Sequence, residues 1–197
     1  MGWTELFALV AFGVAGSGSP GPNNALLLAS GVRFGFRRTV PHVVGAAAGI
    51  GALVMSVAAG VGVVFDAIPN AQLGLKVIGS LYLLYLALRV ASSRTIERTS
   101  VSKPLNTWEA ALFQFVNPKA WIFAIAVVAA FLPPALPSLL GGLLLTTILT
   151  FVMVATSASW AFGGAALSKL VASERSVYLL NWILAILLVA SVAFLWI

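Results

Sequence analysis

Two short polar segments interrupt otherwise apolar stretches and carry most of the side chains able to do chemistry. They are Ser19-Pro20-Gly21-Pro22-Asn23-Asn24 and Asn117-Pro118-Lys119. Proline lacks a donor N–H and clashes with the preceding helical turn, so each segment should stop one helix and start another. The grammar predicts Ser19 as an N-cap with Pro20 as the first helical residue, and Asn117 as an N-cap followed by Pro118. A restarting helix presents unpaired N–H groups and the positive end of its dipole, a combination suited to carboxylates. Lys119 adds a full positive charge, either to attract a substrate carboxylate or to cycle a proton. The competing role for it is to bond backbone carbonyls and hold the broken helix. Asn23, Asn24, Asn117 and Gln114 can offer carbonyl oxygens to an ammonium group. For Gln114 in particular, a hydrogen bond between helices is an equal alternative. The candidate substrate-binding set is therefore Pro20, Gly21, Pro22, Asn23, Asn24, Gln114, Asn117, Pro118 and Lys119.

The elements that must position this set are membrane spans. The chain of 197 residues is 61% hydrophobic and 8% charged, against about 25% charged in soluble domains. Residues 6–32, 39–65, 120–168 and 176–197 contain no charge, and about 20 apolar residues suffice for one helical crossing. Six spans are predicted: Trp3–Gly31, Val43–Phe65, Ala71–Ala91, Trp108–Leu132, Ser138–Leu167 and Val177–Ile197. Lys76 and Arg89 lie inside the third, near ends from which long basic side chains can snorkel to the interface. Trp3, Trp108, Trp182 and Trp196 fall at predicted span ends, where amphipathic rings favour the interface. Trp121 and Trp160 lie deeper and read as packing residues.

Charge sets the orientation. The connections after spans one, three and five, counted with Arg89 at the closing end of span three, hold nine of the eleven basic residues. In a six-span chain these connections share one side, which the positive-inside tendency makes cytoplasmic. Both termini are then predicted outside. The formal charge of +6 is thus a topology signal, with the lipid bilayer rather than nucleic acid as partner. The cluster RFGFRR at 33–38 reads as a topology anchor able to touch anionic lipid. Lys119 is the exception to this sorting. It lies 11 residues beyond Trp108, about 16 Å along a helix and so near the midplane. Asn23 lies 10 residues before Arg33, about 15 Å from the same face. The two breaks can meet at one depth, where irregular backbone must line an enclosed or watery cavity.

The polar linker divides a single all-α transmembrane domain, 1–197, into halves. Residues 1–91 form the first three-helix half, 92–107 a cytoplasmic linker and 108–197 the second half. Three spans per half would insert the halves with opposite topology. A proline break in the first span of each fits two inverted repeats with broken first helices, a pattern of secondary transporters.

Other chemistry is disfavoured. The chain has no cysteine and one histidine, which removes disulfides, thiolate catalysis and paired-ligand metal sites. No cofactor is expected. Glu5, Asp66, Glu97, Glu109 and Glu174 all lie at span ends or in connections, so no carboxylate pair or relay sits at depth. That argues against a membrane-embedded enzyme, and it suits a zwitterionic substrate better than a dication. A channel or structural subunit is the remaining alternative, although one Lys119 per chain does not make a polar ring. Glu5 and the absence of a basic n-region predict no cleavable signal peptide. Gly45 and Gly49 permit close helix contact, expected within the chain, with a homodimer face as the alternative. The hydroxyls Thr146, Thr147, Thr150, Thr156, Ser157 and Ser159 should mainly pack helices, with lining a path as the alternative. His42, after Pro41, reads as interfacial.

With those residues in hand, the chain resembles the LysE/RhtB family of bacterial amino-acid exporters. The resemblance is carried by Ser19-Pro20-Gly21-Pro22-Asn23-Asn24, by GVRFGFRR with its downstream VVGAAAGIG, by KVIGSLYLLYLALRV and by FQFVNPKAW at 113–121. It covers essentially the whole chain. It implies an inner-membrane exporter of amino acids or close derivatives driven by the proton gradient, and gives weight to Pro20, Pro22, Asn117, Pro118 and Lys119. The PGPNN form and Leu179-Leu180-Asn181 look more like the cysteine/O-acetylserine branch than the lysine branch.

Overall fold

A computed structural model describes residues 1–61, 71–91, 103–168 and 174–196. Among these residues there are eight α-helices and no strand. They are α1 (Trp3–Gly18), α2 (Pro22–Phe34), α3 (Phe36–Ser56), α4 (Ala71–Ala91), α5 (Thr107–Val116), α6 (Pro118–Phe131), α7 (Ser138–Leu167) and α8 (Glu174–Trp196). The expected bounds of the third and fifth spans match α4 and α7. The snorkelling of Lys76 and Arg89, most of the linker and the loop around Asp66 lie outside the described residues or side chains.

Among the described residues, two helices are long and apolar enough to cross a membrane, Phe36–Gly60 and Ser138–Leu167. The pair α5 and α6 also qualifies once joined, with a bend of 77° between its halves. The helix expected over Val43–Phe65 begins earlier, at Phe36, and takes in much of the basic cluster. Gly35, at φ 77°, makes the turn from α2, a backbone state in which a side chain would be strained. Pro41 lies inside α3, which continues through it. The last turn of α3 widens into a π-helical segment, Val57–Val61, with Gly60 at φ 99°.

Lipid tails are as apolar as leucine, so helices associate in a bilayer through close packing and polar contacts rather than water exclusion. Small residues provide that contact here. A Cβ on Gly31 of α2 would strike the carbonyl of Ala161 on α7, and one on Gly164 of α7 would strike the carbonyl of Leu28 on α2. Gly45 and Gly49 of α3 lie in the same way on the backbone of Thr107 and Ala111 in α5. This glycine pair is therefore used inside the chain. The largest apolar cluster joins α1, α3, α6 and α7 around Leu9, Leu53, Ala124, Val127, Leu145 and Leu149. Phe12 stacks on Phe123, with ring centroids 5.7 Å apart, and tilts against Phe131. A second cluster packs α4 and α8 together and onto α2 through Leu83, Ala87, Leu184, Leu188 and Leu28. Trp3 and Trp108 are exposed, while Trp121 is buried as a packing residue would be.

Candidate functional site

The first break does not restart where Ser19 and Pro20 suggested. Ser19 is the extended C-cap of α1 (φ −65°, ψ 149°), Gly21 is the extended N-cap of α2, and Pro22 is its first residue. The second proline decides this. A residue before proline is driven out of the helical region, so Gly21 cannot continue a helix begun at Pro20. The second break follows its predicted grammar: the Asn117 side chain accepts from the Lys119 N–H at 3.2 Å, and Pro118 is first in α6.

Every backbone carbonyl from Ala15 to Pro20 is paired. Ala15 accepts from the Ser19 N–H, and Gly16 from the Ser19 hydroxyl at 2.9 Å. Asn24 Nδ2 donates to Ser17 O at 2.6 Å and Ser19 O at 2.9 Å. Trp160 Nε1 donates to Gly18 O at 3.1 Å. Lys119 Nζ reaches across from the other break to Ser19 O (3.0 Å), Ser19 Oγ (2.8 Å) and Pro20 O (3.1 Å). An ammonium has three donors, and all three are used. The role first weighed against substrate contact, holding the broken helix through its carbonyls, is thus what Lys119 does in this conformation.

The donor ends of the two breaks differ. At α6, Asn117 takes the first free N–H groups, through its side chain to Lys119 and its carbonyl to Ala120 and Trp121. That overturns the expectation that both restarts present open N–H groups. At α2 the first intrahelical bond is Ala25 N–H to Gly21 O. Among the described residues, the N–H groups of Asn23 and Asn24 have no protein acceptor.

A cavity lies between the breaks. It is lined by Ser17 and Gly16 of α1, by Gly21, Pro22, Asn23 and Asn24, and by Ala46 and Ile50 of α3. Gln114, Asn117, Lys119, Ala120 and Phe123 come from α5 and α6, and Met153 and Ser157 from α7. The cavity volume is about 50 Å³, enough to admit water. Of the predicted set, Gly21, Pro22, Asn23, Asn24, Gln114, Asn117 and Lys119 meet here, while Pro20 and Pro118 stay outside the lining. Of the span-five hydroxyls, Ser157 takes the alternative role and lines the cavity. Gly16, Ser17, Ala46, Ile50, Phe123 and Met153 carried no local signal. The other span-five hydroxyls mostly bond back to their own helix, as Thr147 does to Leu143 O and Thr150 to Thr146 O. Lys119 is the one charged group in the lining, so the cavity has positive charge and no carboxylate. Among the described residues no group of His, Cys, Asp or Glu could hold a metal.

The chain matches the LysE type translocator family over residues 14–197. It belongs to that family. Curated relatives at 30% identity over 172 residues include the cysteine/O-acetylserine efflux proteins of Escherichia coli (strain K12), Shigella flexneri and Shigella sonnei. The alignment covers 87% of this chain and 87% of each relative. No solved structure matches. In this LysE-type chain, PGPNN supplies the open helix end and the clasp on α1, and NPK supplies the capped helix and the cation.

The Asn117 cap gives a stability prediction. Asn117→Ala should destabilise the purified protein by about 0.5–2 kcal/mol, the range for a lost N-cap, lowering its thermal midpoint in detergent. Asn117→Ser keeps an N-cap acceptor and should recover most of the loss. Equal midpoints for the alanine variant and the parent would show that the cap carries no stability.

Proposed function

We propose that the protein is a secondary transporter that exports small zwitterionic amino acids or their close derivatives across the bacterial inner membrane. The observation that carries this reading is the asymmetry of the first break. Its carbonyl end is closed by Asn24, Trp160 and Lys119, while its N–H end opens on a cavity holding one positive charge. A carboxylate suits that end of α2, with the dipole and Lys119 adding charge stabilisation. Asn24 has committed its Nδ2 to Ser17 and Ser19, so its Oδ1 is the group left to accept from a substrate ammonium. The lack of a lining carboxylate favours a zwitterion over a substrate with a second positive charge. The small volume favours a short side chain, consistent with relatives named for cysteine and O-acetylserine efflux.

In this reading residues 1–91 and 108–197 are inverted halves of a six-span protein joined by a cytoplasmic linker, with both termini outside. A homodimer would have to use a face other than Gly45 and Gly49.

The test is metabolite profiling of a strain overexpressing the chain, together with growth on toxic amino-acid analogues. Raised extracellular levels of small neutral amino acids and resistance to their analogues are expected. An unchanged export profile and unchanged sensitivity would overturn the reading. Proton coupling is expected to show as uptake into inside-out vesicles that rises with an imposed pH gradient. Uptake indifferent to that gradient would mean facilitated diffusion.

A further inference from the structure

We infer that His42 is a positioning residue, which sets the orientation of the Asn23 amide at the cavity. The inference rests on the export reading of this site. His42 lies on α3, is 1% exposed and stands behind Asn23, outside the cavity lining. Its burial corrects the expectation of an interfacial histidine: with α3 beginning at Phe36, His42 is carried a full turn and more into the bundle.

A chain of hydrogen bonds fixes the direction of each donor. Asn117 Oδ1 accepts from the Lys119 backbone N–H, so its Nδ2 is the atom facing Gln114 Oε1 at 3.3 Å. Gln114 Nε2 therefore points the other way, donating to Ala110 O at 3.3 Å and to Asn23 Oδ1 at 2.9 Å. Gln114 is 1% exposed and Asn117 4%, so neither can reverse its amide without leaving buried groups unpaired. Asn23 thus presents its oxygen to Gln114. His42 Nε2 meets the same oxygen at 3.3 Å. That oxygen only accepts, so Nε2 carries the proton. Nδ1 is left bare, and it is the buried side-chain nitrogen that has no partner among the described residues.

Two donors on Asn23 Oδ1 hold the side chain in one rotamer and turn its Nδ2 toward the cavity, beside the open N–H groups of α2. The structure gives that Nδ2 no protein acceptor among the described residues, so it is free to donate to a substrate carboxylate. Without His42 one of the two restraints is lost, and the amide can rotate away.

The chain has one histidine, so the ring nitrogens of the ¹⁵N-labelled protein in detergent can be read without assignment. The Nε2–H tautomer is expected, and an Nδ1–H tautomer overturns the inference whatever the protein transports. In proteoliposomes with O-acetylserine, His42→Leu should raise KM about fivefold with the maximal rate kept, as for the loss of one neutral hydrogen bond. His42→Gln, which places a donor near the Nε2 position, should restore most of it. In an Asn23→Ala background His42→Leu should add nothing, because the effect runs through Asn23. An unchanged KM in His42→Leu, or equal impairment in the leucine and glutamine variants, also overturns it. A parent protein that moves no amino acid would instead overturn the export reading and leave the tautomer to decide the role of His42.

Discussion

Replacing Lys119 with Met is expected to abolish export while the protein still inserts and purifies as a monodisperse species. The ammonium donates three hydrogen bonds to Ser19 and Pro20, across a separation of about a hundred residues in the chain. Hydrogen bonds to charged groups are worth about 1.5–3 kcal/mol each. Losing them frees the Pro20 carbonyl and weakens the hold on Ser19, where the membrane interior offers little water. It also removes the one charge that lines the cavity. A carboxylate placed at the N-terminus of α2 would then face the helix dipole alone. The combined loss should lower the export rate by at least about a hundredfold, since every 1.4 kcal/mol is a factor of ten. Insertion should survive, because a less polar residue at this depth is easier to place in lipid. Lys119→Arg separates the two duties. It keeps the charge, but its planar fork does not match three acceptors arranged around a compact ammonium, so partial export is expected. Full transport by Lys119→Met would remove Lys119 from both the clamp and the binding site.

The sequence made the breaks legible because proline acts locally: it removes a donor and restricts the residue before it whatever surrounds it. The same locality made Asn117 readable as a cap, since the capped N–H is two residues away. Where two prolines compete, the later one governs, and Pro22 rather than Pro20 starts α2 for that reason. Lys119 stood out as a charge within an apolar stretch from its distance to Trp108. Its acceptors did not, because they lie in another helix. The same limit hid Ser17, Ser157 and Phe123, whose neighbours are set by how α1, α6 and α7 cross. His42 was misread because the span was expected to begin at Val43, and only the earlier start of α3 at Phe36 carries the ring inside. Gly45 and Gly49 announced a close contact by their spacing but not the helix that makes it. Gly31 and Gly164 announced nothing, since each is single on its own contact face.

That last pair yields the second large effect: Gly164→Ala should be strongly destabilising, while Gly163→Ala beside it should be tolerated. A Cβ on Gly164 would sit on the Leu28 carbonyl oxygen and close to the Leu28 carbon and Val32 nitrogen at 3.0 Å. These are backbone atoms, which have no rotamer to yield, so α2 and α7 must separate. Overpacking of this kind costs about 1–3 kcal/mol or more, and the gain from alanine in a helix returns only about 1 kcal/mol. On Gly163 the nearest atom is Leu28 Cδ1 at 3.9 Å, an ordinary contact made by a side-chain tip. The helix-propensity gain should then dominate, leaving stability equal or slightly raised. The consequence reaches the cavity, because α2 carries Asn23 and Asn24 while α7 carries Ser157 and the Trp160 donor to Gly18. Moving the two helices apart by even part of a methyl radius pulls these groups out of register. Gly164→Ala should therefore show a lower thermal midpoint in detergent and reduced export, with Gly31→Ala behaving alike because it meets Ala161 from the other side. Equal midpoints for the Gly163 and Gly164 variants would show that α2 and α7 are not held backbone to backbone.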